Sequence, residues 1–423
     1  MEGSVGFGNA IALDGDHIAV ADVMGRSPVY VFDTQTAELI QRLGPTDNIF
    51  NSSKPIDIDG DYVIAGLNSE TVVFDVRTGD EVIRFTPDEP SEYSSFGFRV
   101  GLDNDRALVQ ARTNSFGPTE YEIILFDAVS GQRIKALELA SLSGPNTWFA
   151  IDGNDIVVNG SAGSRPRVFD AATGELRFEI DNVSFFTHIG VGVSDGTALL
   201  GSPFSSIDGM LSSGAAFLYD LANQSEIGQL SPDLPQSSDR FGLQVDIDGD
   251  LAVVGVAPSN VPLAQERAAY VFDITTGEQL AKLLPGSGTP EDNEQFAYQV
   301  KIDGSTVAVS SRLDTQDSAS GAVYLYDLVS ILALAGDFDG DRIVAQGDLN
   351  LVLNNWGTVR GDWANADRFA SETVDQEELN AVLNNWGSSA SPSFASRDIP
   401  EPVAALGLFL FTGVQRRRSG RGL

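Results

Sequence analysis

The phrase FGLQVDIDGDLAVVG (241–255), followed after a variable stretch by RAAYVFDITTGEQLAKLL (267–284), decides the fold. Apolar residues alternate on the way into Asp248-Gly249 and again on the way out, and a second pair of alternations flanks Thr276-Gly277. Period-two alternation bounded by turn residues marks half-buried strands, so the phrase reads as four short antiparallel strands joined by tight turns. Asp-Gly suits a two-residue hairpin because the turn positions need positive φ. One such sheet cannot bury both of its faces, so it requires neighbours of its own kind.

The chain supplies those neighbours. An aromatic-Asp pair opens the second hairpin turn at Phe32-Asp33, Phe74-Asp75, Phe126-Asp127, Phe169-Asp170, Tyr219-Asp220, Phe272-Asp273 and Tyr326-Asp327. A first hairpin turn precedes each, at Asp14-Gly15, Asp59-Gly60, Asp103-Asn104, Asp152-Gly153, Asp195-Gly196, Asp248-Gly249 and Asp303-Gly304. Repeats of this size, with no helical period between strands, point to propeller blades rather than to a solenoid. The expected fold is all-β, a seven-bladed β-propeller of four-stranded blades over residues 1–335, because radial packing covers both faces of every sheet. Residues 328–335 are apolar enough to supply the last blade's fourth strand; otherwise that strand comes from upstream of Met1.

Composition narrows the function. Among 423 residues there are 60 Asp+Glu against 26 Lys+Arg, a formal charge of −34, and no Cys. Nucleic acid and anionic lipid are poor partners for such a body, whereas divalent cations, basic surfaces and neutral glycans are better ones. Disulfides and thiol chemistry are excluded. Only His17 and His188 exist, neither beside a recurring nucleophile, so a Ser-His-Asp arrangement is not expected. Alternate carboxylates at Asp57, Asp59 and Asp61, and at Asp246, Asp248 and Asp250, suggest metal binding at first sight. They sit directly on the turns, however, and are read as turn residues. Trp148, the single Trp of the ring, gives little for a quinone to stack on.

Phe241-Gly242 followed by Gly255-Val256-Ala257-Pro258 resembles the FG-GAP repeat of integrin α-subunit propellers and their bacterial relatives. Phe7-Gly8, Phe96-Gly97 and Gly201-Ser202-Pro203 are partial copies. The second hairpin, Val271-Phe272-Asp273 to Thr276-Gly277-Glu278, is similar to the strand-turn phrase of quinoprotein-type propellers. These resemblances cover the ring and imply an architecture, while saying little about function.

After Gly336 the pattern changes, and residues 336–388 read as a separate small helical unit. Asp337, Asp339, Asp341 and Asp348 fall at positions 1, 3, 5 and 12 of a twelve-residue loop, with the Ile343 carbonyl at 7, the oxygen spacing that wraps one Ca²⁺. Leu349, Val352, Leu353 and Trp356 then fall on one face of a short helix. The helix phrase LNLVLNNWG (349–357) returns as LNAVLNNWG (379–387), which places a second, weaker loop at 367–378 with Asp367, Ser371, Thr373, Asp375 and Glu378. Two such units in tandem resemble a dockerin domain. The resemblance implies Ca²⁺ and a docking role, although Arg342 stands where Gly normally sits, and Phe369 and Ser371 replace acidic ligands.

Residues 389–399 read as a linker, and 400–423 as a tail. The tail holds Pro400-Glu401-Pro402, an apolar run at 403–414, then Arg416, Arg417 and Arg418. Twelve helical residues span roughly 18 Å, short of a bilayer core of about 30 Å, so membrane contact is expected to be transient. The ordered trio resembles a PEP-CTERM sorting signal, which implies an exosortase-type processing enzyme and export to the cell surface or beyond. The start, Met1-Glu2-Gly3-Ser4, shows no signal peptide, so the true start is expected upstream.

The combined expectation is an exported, surface- or matrix-associated, non-catalytic binding or adhesion protein, with a protein or glycan ligand on the propeller face. The rival is an exported polysaccharide-acting enzyme with a carboxylate-based site at the propeller mouth, recognisable by carboxylates converging with an Arg or aromatic platform. A purely structural surface-layer component is a third reading.

Overall fold

A computed structural model of the chain describes residues 7–21, 28–44, 55–67, 69–113, 120–139, 142, 144, 147–160, 165–181, 190–207, 209–232, 235–256, 267–285, 295–314, 320–329, 344–357, 374, 376–384, 386 and 396–399. Seven four-stranded antiparallel sheets follow one another, at 10–43, 56–85, 93–136, 148–179, 191–230, 241–283 and 296–327, the last completed by Ser396–Ile399. Within each sheet the chain runs from the innermost strand outward, each strand paired with the next. The inner strand of each sheet packs on that of the next, and the seventh packs on the first, so the sheets close into a seven-bladed β-propeller.

Alternation on the inner strands explains the closure. One set of side chains is apolar and faces the preceding blade. Ile11 and Leu13 cluster with Val323 and Leu325 of blade seven. Ile56 and Ile58 cluster with Ala10 and Ala12 of blade one. Val245 and Ile247 cluster with Leu199 and Ala216 of blade five. A separate apolar cluster fills each of the seven gaps between blades, and no blade has a core of its own. Each inner strand thus depends on a neighbour to take its apolar face out of water, at about 25 cal/mol per Å².

The aromatic-Asp pairs end the third strands, as read. Asp33, Asp127 and Asp170 each accept N–H bonds from the residues two and three positions on, which folds the chain back before the following Gly or Ala. The first turn differs from the reading in one respect. Asp14, Asp59, Asp103, Asp152, Asp248 and Asp303 are the last strand residues, and the turn begins on the residue after them, with φ between 50° and 55° at Gly15, Gly60, Asn104, Gly153, Gly249 and Gly304. In blade five the strand ends at Ser194. Asp195, with φ 48°, is the first turn residue, so the Asp195-Gly196 alignment slips by one.

The Phe-Gly phrases have a single structural role. Phe7, Phe96 and Phe241, with Phe296 of the related Phe-Ala phrase, are fully buried or nearly so. Gly97 and Gly242 follow them with φ of 81° and 90°, and the ladder slips there by a bulge. That bulge presses its backbone on the preceding blade: a Cβ on Gly201 would lie 1.9 Å from the Gly242 carbonyl oxygen. The glycine of one blade's second strand therefore admits the bulge of the next blade.

The last blade closes differently from either expectation. Ser396–Ile399 pairs antiparallel with its third strand, from Val323↔Ile399 to Tyr326↔Ser396. The outer position is therefore not taken by 328–335, whose first two residues leave the strand in helical conformation. Residues 396–399 are blade, not linker. Two helices, α1 (Gln346–Asn354) and α2 (Gln376–Asn384), thus lie in the chain between two strands of one sheet.

Two outcomes check this architecture. Ending the chain after residue 399 leaves the thermal midpoint unchanged, whereas ending it after residue 390 lowers it by several degrees, because blade seven loses its outer strand. Gly201→Ala costs about 1–3 kcal/mol or more in denaturant unfolding, because its methyl meets backbone.

Candidate binding site in the central channel

The inner strands surround a channel holding a cavity of about 330 Å³. Its wall can be read in three rows, two residues or about 6.6 Å apart along each strand. The first row is the turn end. There each blade's last inner-strand side chain accepts the N–H of the first turn residue in the next blade. Gly15 donates to Asp303, Asn104 to Asp59, Gly153 to Asp103, Asp195 to Asp152, Gly249 to Ser194 and Gly304 to Asp248, at 2.5–3.1 Å. Gly60 donates to Asp14 and completes the circuit. His17 joins this layer, its Nδ1 3.3 Å from the Gly60 carbonyl oxygen. Burial raises the pKa of Asp59, Asp103, Asp152 and Asp303, and the like charges of neighbouring acids add to the rise.

The second row carries Asp57, Asp246 and Lys301 among Gly and Ala. Asp57 accepts from the Leu102 N–H at 2.9 Å and Asp246 from the Ile302 N–H at 3.0 Å, each on the following blade. Lys301 Nζ lies 3.4 Å from Asp246 Oδ1. Burial pulls the Lys301 ammonium down, but the Asp246 and Asp57 charges more than offset it. Burial pushes Asp57 up to about 6 despite Lys301, and raises Asp246 as well. Asp57 and Asp59 thus each accept a backbone N–H of the neighbouring blade. Among the described residues no three acids or histidines form a metal-holding group.

The third row carries Arg99, Trp148, Gln244 and Gln299. The Arg99 guanidinium lies 3.5 Å from the Trp148 ring centroid and 5.9 Å from that of Phe98. Burial lowers its pKa to about 10. Gln299 Oε1 accepts from the Ile11 N–H at 3.0 Å, another bond across a blade boundary. Sequence reasoning saw Trp148 as isolated and missed Arg99. The available signal was position: Arg99, Trp148, Gln244 and Gln299 all stand four residues before the inner-strand end.

Of the first calcium-loop residues, Asp337, Asp339, Asp341 and Ile343 lie outside the described residues, as do Asp367, Ser371, Thr373 and Asp375, the Glu378 side chain, His188 and residues 400–423. Asp348 is described: it is buried at the third position of α1 and accepts the Ala345 N–H at 2.8 Å. The helical repeat is real, since Gln346 bonds Asn350 and Gln376 bonds Asn380 with the same 3.0 Å geometry. Val344, Val352, Val374 and Val382 form its core. Leu353 and Trp356, read as part of the buried face, are 52 % and 46 % exposed, as are their counterparts Leu383 and Trp386 at 54 % and 48 %. Among the described residues no helix is long and apolar enough to cross a membrane.

The architecture defines a β-propeller whose polar groups converge on its axis. An FG-GAP repeat family profile matches residues 225–272 and 278–326, each match taking the outer strand of one blade with three strands of the next. No curated protein matches the chain.

Asp57 gives a direct check. With a folded pKa of about 6 against an ordinary 3.8, the folded chain takes up a proton first, so this group favours folding increasingly as pH falls from about 7 to about 4. Asp57→Asn keeps an acceptor for Leu102 but removes that dependence. Thermal or urea unfolding is expected to show the variant's pH curve flatter by on the order of 1 kcal/mol across this window, the ~1.4 kcal/mol per unit being reduced by channel water.

Proposed function

We propose that the protein is an exported, non-catalytic binding and adhesion propeller, whose channel mouth takes the ligand and whose helix pair is a Ca²⁺-dependent docking module. One observation carries the non-catalytic part: Asp57 and Asp246, the only described carboxylates in the second row, are both engaged with backbone N–H groups of the next blade. Each of these groups therefore joins one blade to the next, a role that requires neither proton transfer nor attack on a substrate. The FG-GAP likeness at 225–326 and the closed ring of interaction surfaces favour binding as well.

Ca²⁺ would be held by Asp337, Asp339, Asp341, the Ile343 carbonyl and Asp348. The fit rests on α1: it starts so that Asp348 falls in its first turn, with its carboxyl buried. The second loop, with Asp367, Ser371, Thr373, Asp375 and Glu378, is proposed as the weaker site. Export, and processing at Pro400-Glu401-Pro402 ahead of Arg416, Arg417 and Arg418 by an exosortase-type enzyme, are proposed from the tail. The protein would then act at the cell surface or in the extracellular matrix.

A polysaccharide-acting enzyme remains the second reading, favoured by the convergence of Asp57, Asp246 and Lys301 one row from the Arg99–Trp148 stack. The two readings separate when the full chain is incubated with a polysaccharide and protein panel, with Ca²⁺ or with chelator. Retention without new reducing ends or unsaturated products is the expected result. Bond cleavage abolished by Asp57→Asn or Asp246→Asn overturns the binding reading. Chelation is expected to lower the melting of the helix pair, followed by proteolysis at 336–390, and to leave the ring intact.

A further inference from the structure

We propose that the third row of the channel is a carboxylate-binding subsite built on Arg99, and that its ligand is a hexuronate, a sugar carrying a carboxylate, free or as the end residue of an acidic glycan. The proposal deepens the binding function above and rests on it.

Arg99 stands apart from the ion-paired cations of this chain, and from the surface-stacked Arg42 and Arg240, by its place in the channel. Acids outnumber bases 60 to 26, and Arg77, Arg84, Arg133, Arg167 and Arg177 all reach carboxylates. Arg99 lines the cavity instead, and among the described residues no carboxylate pairs with it. Its Nε is buried without a hydrogen-bond partner. A half-buried guanidinium held in the channel without an anion is electrostatically unfavourable, and stacking on Trp148 returns only part of that. Stacking occupies the flat face of the guanidinium and fixes its plane. The two Nη groups are left for a planar anion, the two-pronged geometry that selects carboxylate over a point charge.

The rest of the wall suits a polyol. Gln299 uses its oxygen on Ile11, which leaves its amide nitrogen as a donor, and Gln244 lines the same row. One row deeper, Asp57 and Asp246 have lone pairs for sugar hydroxyls, and Lys301 offers further donors. Phe98 and the ring edge of Trp148 supply apolar wall against which sugar C–H groups rest. The six aspartates at the turn end set the direction of entry: an anion is repelled there and reaches Arg99 from the opposite mouth. A cavity of about 330 Å³ holds one sugar ring with its waters, not a folded partner.

Calorimetric titration of the full chain with glucuronate and galacturonate, their oligomers, glucose and acetate tests the assignment. Uronates are expected to bind, glucose not detectably, and acetate at least tenfold more weakly. Arg99→Gln is expected to weaken uronate binding at least tenfold, and Arg99→Lys to recover only part of it, since ammonium lacks the fork. Tighter binding of oligomers than monomers identifies a glycan chain end as the source; equal binding identifies the free acid. Melting of each variant checks the fold: a purely structural Arg99 predicts a lower midpoint for Arg99→Gln, whereas relief of an unpaired cation predicts an equal or higher one. Uronate binding that Arg99→Gln leaves intact, or none at millimolar concentrations, overturns the assignment. Retention of neutral glycans or proteins in that case leaves the wider binding function standing; bond cleavage would remove both.

Discussion

Seven hydrogen bonds at the turn end of the inner strands tie each blade to the next, and the molecule depends on that circuit. Each joins a side chain on one blade to a backbone N–H on its neighbour, so the chain's inner radius is set by polar contacts rather than by the apolar clusters outside them. Hydrophobic burial drives blades together but does not specify how many there are. A directional bond of fixed length sets how each blade is placed against the next. The circuit also concentrates six carboxylates about one axis, where burial raises the pKa of several. Asp33, Asp127 and Asp220 offset part of this, their carboxyls held below the ordinary range first of all by N–H groups three residues on. The inner acids favour folding as pH falls, while the turn acids lose their contribution as it falls, so the two sets oppose each other in mild acid.

Much of this was legible in the residues. The aromatic-Asp pairs located the ends of all seven third strands and the second hairpins of the first six blades, because one carboxylate must meet the N–H groups that follow it. The first turns were located too, but their chemistry was misassigned: Asp was read as a turn residue when it ends the strand and reaches sideways to the next blade. That function is long-range and leaves no local pattern. Blade five shows the limit, since Ser194 performs the bonding and the visible Asp195-Gly196 pair sits one residue late.

The channel was less legible than the ring. Arg99, Trp148, Gln244 and Gln299 belong to four different blades, and only closure brings them to one level. Counting back from each strand end finds them, but nothing distinguishes Arg99 until ring closure places it, without an acidic partner, on the channel wall. The helices failed for the opposite reason. A heptad-like spacing suggested one apolar face, yet Val352 and Val382 carry the core while Leu353, Trp356, Leu383 and Trp386 face outward. The last strand, Ser-Arg-Asp-Ile, has no alternation to announce it, whereas the apolar 328–335 offered a more attractive candidate.

That borrowed strand has a mechanical consequence. A load applied at residue 400 reaches the ring only through four paired residues, Ser396–Ile399, at the rim of one leaflet. It acts as a fuse. Once it is peeled, the first six leaflets and three strands of the seventh keep their circuit. A tethered molecule built this way lengthens under tension before its ring opens.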